Sequence, residues 1–258
     1  MRAFALFITS LAAFAAAPAA AGEPRVALVI GNTAYNGDPL ARLPNAANDA
    51  SLIAEVLVQA GFDVIEVPDA DRGRMQVAIK DFKRRLEEAG PGSVGLFYFA
   101  GHGLQSFGTN YLLAVDAPVE KPADIPRYGF EADDFLRAML RGGAETNILI
   151  LDACRPNQVA KILRPVARAG LREIDARGVD PERSILIAYS TGLGENAADG
   201  EFDNGPYATA LAENLLTPNL SLEALFRRVR AQMVKSGRQK PWESNAMVRG
   251  FAFVGEAP

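Results

Sequence analysis

From residue 25 onward, short all-apolar runs alternate with longer segments in which apolar residues recur every three or four positions. The first pattern is typical of a strand that is buried on both faces, and the second of a helix that packs on one side. The apolar runs predict strands at residues 25–30, 62–67, 93–99, 147–151, 184–189 and 251–254. The periodic segments predict helices at residues 48–60, 71–89, 132–140, 207–216 and 220–234.

Strands that alternate with helices predict an α/β fold, here a three-layer α/β/α sandwich with about six strands in a mostly parallel sheet. Ligands of such sheets bind beyond the carboxyl ends of the strands. Those ends lead into the loops at 31–48, 101–110 and 154–157 and into the stretch after Tyr189. We therefore expect a functional site in these segments.

Composition narrows the possible classes of function. The 258 residues include 27 basic and 31 acidic side chains, and this acidic balance argues against a nucleic-acid binder, which usually presents a basic face. The chain has one cysteine and one histidine. It therefore cannot form an internal disulfide or the usual four-ligand zinc site of cysteines and histidines. Its 49% of apolar residues is typical of an ordinary globular protein.

The amino-terminal segment has the pattern of a secretory signal peptide. A positively charged start precedes an apolar run at residues 3–17, and Ala19-Ala20-Ala21 fits a small-x-small cleavage site. The sequence predicts a signal peptide over 1–21 and an exported protein, periplasmic or extracellular, over 22–258. No later run reaches the roughly 18 apolar residues of a membrane span. An uncleaved membrane anchor is the alternative interpretation.

The single histidine and the single cysteine follow neighbouring predicted strands. His102 comes after the third strand and Cys154 after the fourth, with room between them for one crossover, so both are expected at the same rim of the sheet. A thiol becomes a nucleophile when a nearby base or imidazolium favours the thiolate. A lone cysteine is more often inert and a lone histidine more often on the surface, but their joint placement favours a catalytic pair.

Several segments of the chain match the motifs of one known family: Gly31-Asn32, Leu43-Pro44-Asn45-Ala46-Ala47-Asn48-Asp49-Ala50, Tyr98-Phe99-Ala100-Gly101-His102-Gly103, Tyr111-Leu112-Leu113-Ala114-Val115-Asp116, Asp152-Ala153-Cys154-Arg155, Ser190-Thr191 and Asn204-Gly205-Pro206-Tyr207. Through these segments the chain resembles the caspase-like cysteine peptidases, which comprise caspases, metacaspases and the bacterial forms often called orthocaspases. The resemblance covers about 25–254. It implies a caspase-like fold and a peptidase domain over 22–258, with a large-subunit-like part at about 25–165, a basic linker at about 155–183 and a small-subunit-like part at about 184–258.

The resemblance also implies the roles of the site residues. Cys154 would be the nucleophile, and His102 the general acid and base that protonates the leaving amine and later activates water. The backbone N–H groups of Gly103 and Cys154 would form the oxyanion hole. The family works with a Cys-His dyad, so no third orienting carboxylate is needed.

Two aspartates bear on the substrate. Asp49 and Asp152 match the positions at which metacaspases and orthocaspases carry acids and cut after Arg or Lys, whereas caspases that cut after aspartate carry arginine. Two carboxylates suit a guanidinium, which they can bind in bidentate fashion. The expected partners are therefore protein or peptide substrates that are cut after Arg in preference to Lys. A helix N-cap is the alternative role of Asp49.

The sequence departs from the relatives in two respects. Metacaspases usually follow the cysteine with His-Ser-Gly, whereas Arg155-Pro156-Asn157 stands here, as in many bacterial members. The acids that bind calcium in activated metacaspases cannot be assigned among the available residues, which are Asp133, Asp134, Glu195, Asp199, Glu201 and Asp203. No cofactor is therefore expected, and a calcium requirement is unsupported.

Three questions stay open at this level. A catalytically silent interaction or regulatory module is the rival to an enzyme. A nucleotide- or phosphate-binding protein is disfavoured because no G-x-x-x-x-G-K-[ST] loop occurs. The linker at 155–183 is either a surface loop that the enzyme cuts itself or a solvated basic helix; the candidate cleavage sites are Arg168, Arg172, Arg177 and Arg183.

Overall fold

The computed structural model describes residues 22–35, 40–153, 180–192, 203–237 and 239–256, together with the backbone of residues 167–168. In this part of the chain the strands are β1 (Arg25–Gly31), β2 (Asp63–Pro68), β3 (Val94–Ala100), β4 (Gly103–Ser106), β5 (Thr109–Leu112), β6 (Phe130–Glu131), β7 (Thr146–Asp152), β8 (Ala167–Arg168), β9 (Ser184–Tyr189) and β10 (Trp242–Ala246). The helices are α1 (Ala46–Gln59), α2 (Arg72–Ala89), α3 (Asp124–Tyr128), α4 (Ala132–Gly142), α5 (Pro206–Leu215) and α6 (Leu222–Lys235). The predicted signal peptide and Cys154 lie outside the described residues.

Six strands form the main sheet, in the order β10-β9-β7-β3-β1-β2. All neighbouring strands are parallel except β10, which runs antiparallel to β9. Every residue of β3, β7 and β9 is buried, because these strands are covered on both faces. The prediction of a six-stranded, mostly parallel sheet is confirmed.

Helices cover both faces of the sheet and complete the predicted three layers. On one face α1, α5 and α6 pack through residues such as Leu57, Leu211 and Phe226. On the other face α2 and α4 pack, and the ring of Phe135 stacks on Phe97 of β3 with 3.9 Å between the centroids. None of the described helices combines the length and the apolar character that a membrane crossing requires.

The register of the central strands sets the position of the site. Ala100, the last residue of β3, lies opposite Asp152, the last residue of β7. On the other side of β7, Leu151 lies opposite Tyr189, the last residue of β9. The three strands therefore end at one level, and the segments that follow them leave the sheet at the same rim.

A second, smaller sheet lies in the segments around this rim, in the order β6-β5-β4-β8. Its central hairpin turns at Phe107 and Gly108, whose φ angles are both positive, at 46° and 82°. We did not predict this sheet, because its strands have at most four residues and its two edge strands, β6 and β8, lie further along the chain than the hairpin with which they pair. The short strand β8 falls inside the predicted basic linker and pairs with β4.

The predicted strand at residues 251–254 is wrong, and the last strand is β10 at the edge of the main sheet. Phe251 and Phe253 are buried apolar residues, but they pack at the end of the core instead of joining the ladder. The Arg25 guanidinium holds them there: it lies over the Phe251 ring and donates to the Phe253 carbonyl oxygen at 2.6 Å. Half-exposed edge strands such as β10 are polar, so their sequence lacks the apolar signal.

Candidate active site

His102 stands just beyond the end of β3, and the residue is 3% exposed. Nε2 lies 2.7 Å from the carbonyl oxygen of Ala41, and because a carbonyl oxygen can only accept, Nε2 carries the hydrogen of this bond. In the neutral ring the lone pair then belongs to Nδ1. The Ala41 carbonyl thus selects the tautomer in which Nδ1 is the basic nitrogen, without a carboxylate.

Tyr35 fixes the backbone and the ring of this histidine. Its hydroxyl accepts from the N–H of His102 at 2.9 Å and donates to the carbonyl oxygen of Leu113 at 2.9 Å. Its ring packs edge-on against the imidazole, with 4.4 Å between the centroids. The side chain of Asn32 adds a second bond to Leu113, at 3.0 Å, and accepts from the N–H of Ala70 at 2.8 Å. We call Tyr35, Asn32 and the Ala41 carbonyl the histidine brace.

Glycine is needed at position 101, between β3 and His102. A Cβ atom there would lie 2.7 Å from the hydroxyl oxygen of Tyr35 and 2.7 Å from the ring of Phe99. Both neighbours are buried, so neither could move aside cheaply. Gly101 therefore allows Tyr35 to approach the backbone of the histidine.

The N–H of Gly103 points away from its neighbouring strand β5. The N–H of Leu113 donates to the carbonyl oxygen of His102 at 3.0 Å, so these two residues form a hydrogen-bonding position of the antiparallel ladder. The next pair, Gly103 and Leu112, is then a non-hydrogen-bonded pair, whose N–H groups face outward. An oxyanion-hole donor needs this orientation.

Asp49 lies in the first turn of α1 and is fully buried. The N-cap of this helix is Asn45, so the alternative role of Asp49 as the cap is wrong. Its Oδ1 accepts a hydrogen bond of 2.6 Å from the N–H of Gly205, just before α5. A Cβ at Gly205 would lie 2.8 Å from Oδ2, so a larger residue there would displace the carboxylate. The carboxylate is therefore fixed between α1 and α5.

Asp152 ends β7 and is 3% exposed. Its Oδ2 accepts from the hydroxyl of Tyr98, on the neighbouring strand β3, at 3.3 Å. Burial raises the pKa of Tyr98 well above its ordinary value, and the charges of Asp152 and Asp49 raise it further. The Tyr98 hydroxyl consequently stays protonated and can donate to the carboxylate.

Tyr207 of α5 is the fourth member of this group. Burial raises the pKa of its hydroxyl far above the ordinary value, and the nearby charge of Asp152 adds to the rise. Asp49, Tyr98, Asp152 and Tyr207 come from four different elements, and we call them the acidic cluster. Sequence reasoning named its two aspartates, whereas both tyrosines were missed, although they stand in segments that carry the family resemblance.

The acidic cluster and the histidine brace are adjacent. Asp152 pairs with Ala100 across two neighbouring strands, and His102 follows Ala100 by two residues. Ala153 is buried and leads directly to Cys154, whose own position lies outside the described residues. The course of β7 therefore takes the chain to the rim beside His102, and the pairing of the thiol with the imidazole stays a prediction.

The acids considered for calcium do not come together in the described part of the chain. There, no group of three or more His, Cys, Asp and Glu residues could hold a metal ion. Asp133 and Asp134 are in the first turn of α4, where Asp134 accepts from Arg137 at 2.7 Å. Asp203 is exposed, and the other three acids lie outside the described residues.

Comparisons with known proteins give a consistent picture. The family model described as Caspase domain matches residues 24–253. Mucosa-associated lymphoid tissue lymphoma translocation protein 1 of Homo sapiens is 28% identical over 197 residues, which are 75% of this chain and 22% of that protein. The chain therefore spans less than a quarter of the length of the curated relatives that it matches.

Two solved structures share the fold. Protein GSU0716 of Geobacter sulfurreducens superposes with a TM-score of 0.66 at 18% identity, covering 91% of this chain and 98% of that one. Caspase-1 of Spodoptera frugiperda gives a TM-score of 0.64 at 17% identity, covering 91% of both chains.

Proposed function

Since the chain belongs to the family defined by the caspase domain, we propose that it is a cysteine endopeptidase with Cys154 as nucleophile and His102 as general acid and base. One observation supports this most directly: the Ala41 carbonyl orients the imidazole so that Nδ1 is basic, at the rim to which β7 leads the chain. A histidine that served only packing would not need a defined tautomer there. The catalytically silent module is the rival that the experiment below tests.

The proposed reaction begins when His102 Nδ1 takes the proton of the Cys154 thiol. The thiolate attacks the scissile carbonyl, and the N–H groups of Gly103 and Cys154 bind the developing oxyanion, each contributing roughly 3 kcal/mol. The imidazolium then protonates the leaving amine. Finally, His102 activates a water molecule that hydrolyses the thioester and restores the thiol.

We further propose that the acidic cluster lines the first pocket, which receives the residue before the cleaved bond. Asp49 and Asp152 are 0% and 3% exposed, so a cation that enters between them interacts through a medium of low dielectric constant. Arginine should bind in this pocket more tightly than lysine, because its planar guanidinium can bind carboxylates in bidentate fashion. The specificity is thus for Arg over Lys, with no cleavage after Asp.

A screen of fluorogenic peptides that end in Arg, Lys or Asp tests this function, with the Cys154→Ala protein as the control. We expect release of the fluorophore after Arg, less after Lys and none after Asp. Efficient cleavage after Asp would overturn the specificity. Activity that persists in Cys154→Ala would overturn the role of the thiol, and an inert wild-type protein would favour the silent module.

Export is part of the proposal, on the pattern of residues 1–21. Expression of the full chain in a bacterium with a secretory pathway should yield a protein that begins near residue 22, as determined by amino-terminal sequencing of the periplasmic or secreted fraction. A full-length protein retained in the membrane fraction would instead support the uncleaved anchor.

A further inference from the structure

The hydroxyl of Tyr207 is buried without a hydrogen-bond partner among the described residues. Tyr207 is 1% exposed, and it lies near enough to Asp152 for that charge to raise the pKa of its hydroxyl. A buried hydroxyl with no partner is costly, and a phenylalanine would fill nearly the same volume without that cost. The hydroxyl lies near enough to Asp152 to interact with its charge but makes no bond to it, which favours a ligand as its partner.

A second polar group points to the same place. Ser190 follows β9 and donates its backbone N–H to the carbonyl oxygen of Leu151 at 3.1 Å, which extends the register and places Ser190 beside Asp152. Its hydroxyl is fully buried and has no partner among the described residues. Residues that are paired across neighbouring strands project from the same face of the sheet. Ser190 and Asp152 form such a pair, so their side chains lie on one face.

The side chains of arginine and lysine, the two residues that the pocket could accept, differ in their number of hydrogen-bond donors. A guanidinium has five N–H donors in one plane, whereas an ammonium group has three. Two oxygens of the acidic cluster already accept protein bonds: Asp49 Oδ1 accepts from Gly205, and Asp152 Oδ2 from Tyr98. A guanidinium has more donors left to satisfy than an ammonium, so a neutral acceptor near the carboxylates stabilises it more.

We propose that Tyr207 is a specificity-determining residue of the first pocket, whose hydroxyl oxygen accepts a hydrogen bond from the substrate guanidinium and thereby favours arginine over lysine. This inference rests on the proposed peptidase function and adds a residue to it. The Ser190 hydroxyl is a second acceptor in the same pocket. Tyr98 differs from Tyr207 because its hydroxyl already donates to Asp152 and so helps to fix the carboxylate.

The decisive variant is Tyr207→Phe, assayed on matched peptides that end in Arg and in Lys. We expect kcat/KM on the Arg peptide to fall about tenfold and that on the Lys peptide to change less than twofold. We also expect the Tm of the unliganded variant to rise by about 2–4 °C, since a buried hydroxyl without a partner is removed. A merely structural tyrosine would give the opposite sign of the Tm change and an equal loss on both peptides.

Ser93→Ala is the matched control. Ser93 is also fully buried, and its hydroxyl has no partner among the described residues, but it lies at the amino end of β3, on the opposite rim. Its removal should leave both peptidase rates unchanged. An unaltered ratio of Arg to Lys rates in Tyr207→Phe, or an equal fall on both peptides with a lower Tm, would overturn the proposal.

A binding assay separates this inference from the peptidase proposal. In the Cys154→Ala protein, N-acetylarginine amide should raise the Tm more than N-acetyllysine amide does, and this difference should disappear in Cys154→Ala/Tyr207→Phe. If wild type cleaves no peptide but the Tm difference behaves as expected, the peptidase proposal fails while the proposed arginine-binding role of Tyr207 is supported. If wild type cleaves after Arg but Cys154→Ala shows no such difference, or the difference persists in Cys154→Ala/Tyr207→Phe, only the role of Tyr207 fails.

Discussion

Around His102 the polar groups bond to one another, whereas the acidic cluster keeps a hydroxyl that no described residue satisfies. The Tyr35 hydroxyl both accepts and donates, and Nε2 of the histidine reaches a backbone carbonyl. The hydroxyl of Tyr207 is equally buried but has no partner in the described part of the chain. The imidazole is thus held in place by the protein itself, whereas we propose that the Tyr207 hydroxyl finds its partner in the substrate. A catalytic group requires a fixed geometry, while a pocket gains selectivity from groups that only the correct guest satisfies.

The largest effect should come from replacing Cys154, the proposed nucleophile that His102 serves. Cys154→Ala is expected to lower kcat at least ~10³-fold with little change in Tm, because the nucleophile is lost while the brace stays intact. Iodoacetamide should abolish the activity of wild type in the same way. Peptide hydrolysis before and after alkylation checks both statements, and full activity after alkylation would contradict the role of Cys154.

Removing the charge of the pocket should have the next largest effect. Asp152→Ala is expected to lower kcat/KM on an Arg peptide at least tenfold, about 1.4 kcal/mol or more of transition-state binding. Asp152→Asn separates the charge from the hydrogen bond, since an amide oxygen still accepts from the Tyr98 hydroxyl. Both variants should lose activity chiefly through KM. Asp63→Ala, which removes a surface ion pair with Arg85, is the control and should behave as wild type.

A smaller effect should follow when the brace itself is loosened. Tyr35→Phe deprives the His102 N–H of its acceptor and removes one of the two side-chain donors to the Leu113 carbonyl. We expect kcat to fall about fivefold with KM unchanged and the Tm to drop, because the imidazole is less well placed and a buried N–H loses its partner. Steady-state kinetics beside thermal unfolding would show it. A change in KM alone would assign Tyr35 to the pocket instead.

The sequence was sufficient for the parts of the molecule that depend on local patterns. The apolar runs of β3, β7 and β9 located the three central strands within about one residue, and their ends placed His102 and Asp152 at one rim. The family resemblance then singled out Asp49. The strand predictions succeeded because burial on both faces leaves a continuous apolar run in the sequence.

The parts that the sequence did not predict depend on contacts between distant segments. The bond from His102 to Ala41 spans 61 residues, and that from His102 to Tyr35 spans 67. Nothing in the local pattern around Tyr35 or Tyr207 distinguishes a hydroxyl that serves the site from one that lies in the core. The edge strands of the small sheet were missed for the same reason, whereas its hairpin was missed because strands of four residues leave little pattern.

The smallest effect at neutral pH should come from Tyr98. Its hydroxyl belongs to the acidic cluster but, unlike that of Tyr207, already donates a hydrogen bond to Asp152. Tyr98→Phe should lower kcat/KM on an Arg peptide two- to threefold and lower the Tm slightly. Its clearest signature is expected at alkaline pH. Burial raises the pKa of Tyr98 in the folded chain above the value of about 10 in the unfolded chain, so the unfolded chain loses this proton first.

The free energy of unfolding of wild type should therefore hold below about pH 10 and fall above it, by up to about 1.4 kcal/mol per pH unit for each such tyrosine. The slope should be shallower in Tyr98→Phe, and denaturant unfolding between pH 8 and pH 11 measures it. Val77→Ala, a change at an exposed residue that does not titrate, is the control and should keep the wild-type slope. Equal slopes in wild type and Tyr98→Phe would show that the hydroxyl ionises as readily in the folded as in the unfolded chain. Its donation to Asp152 would then contribute nothing to the pocket.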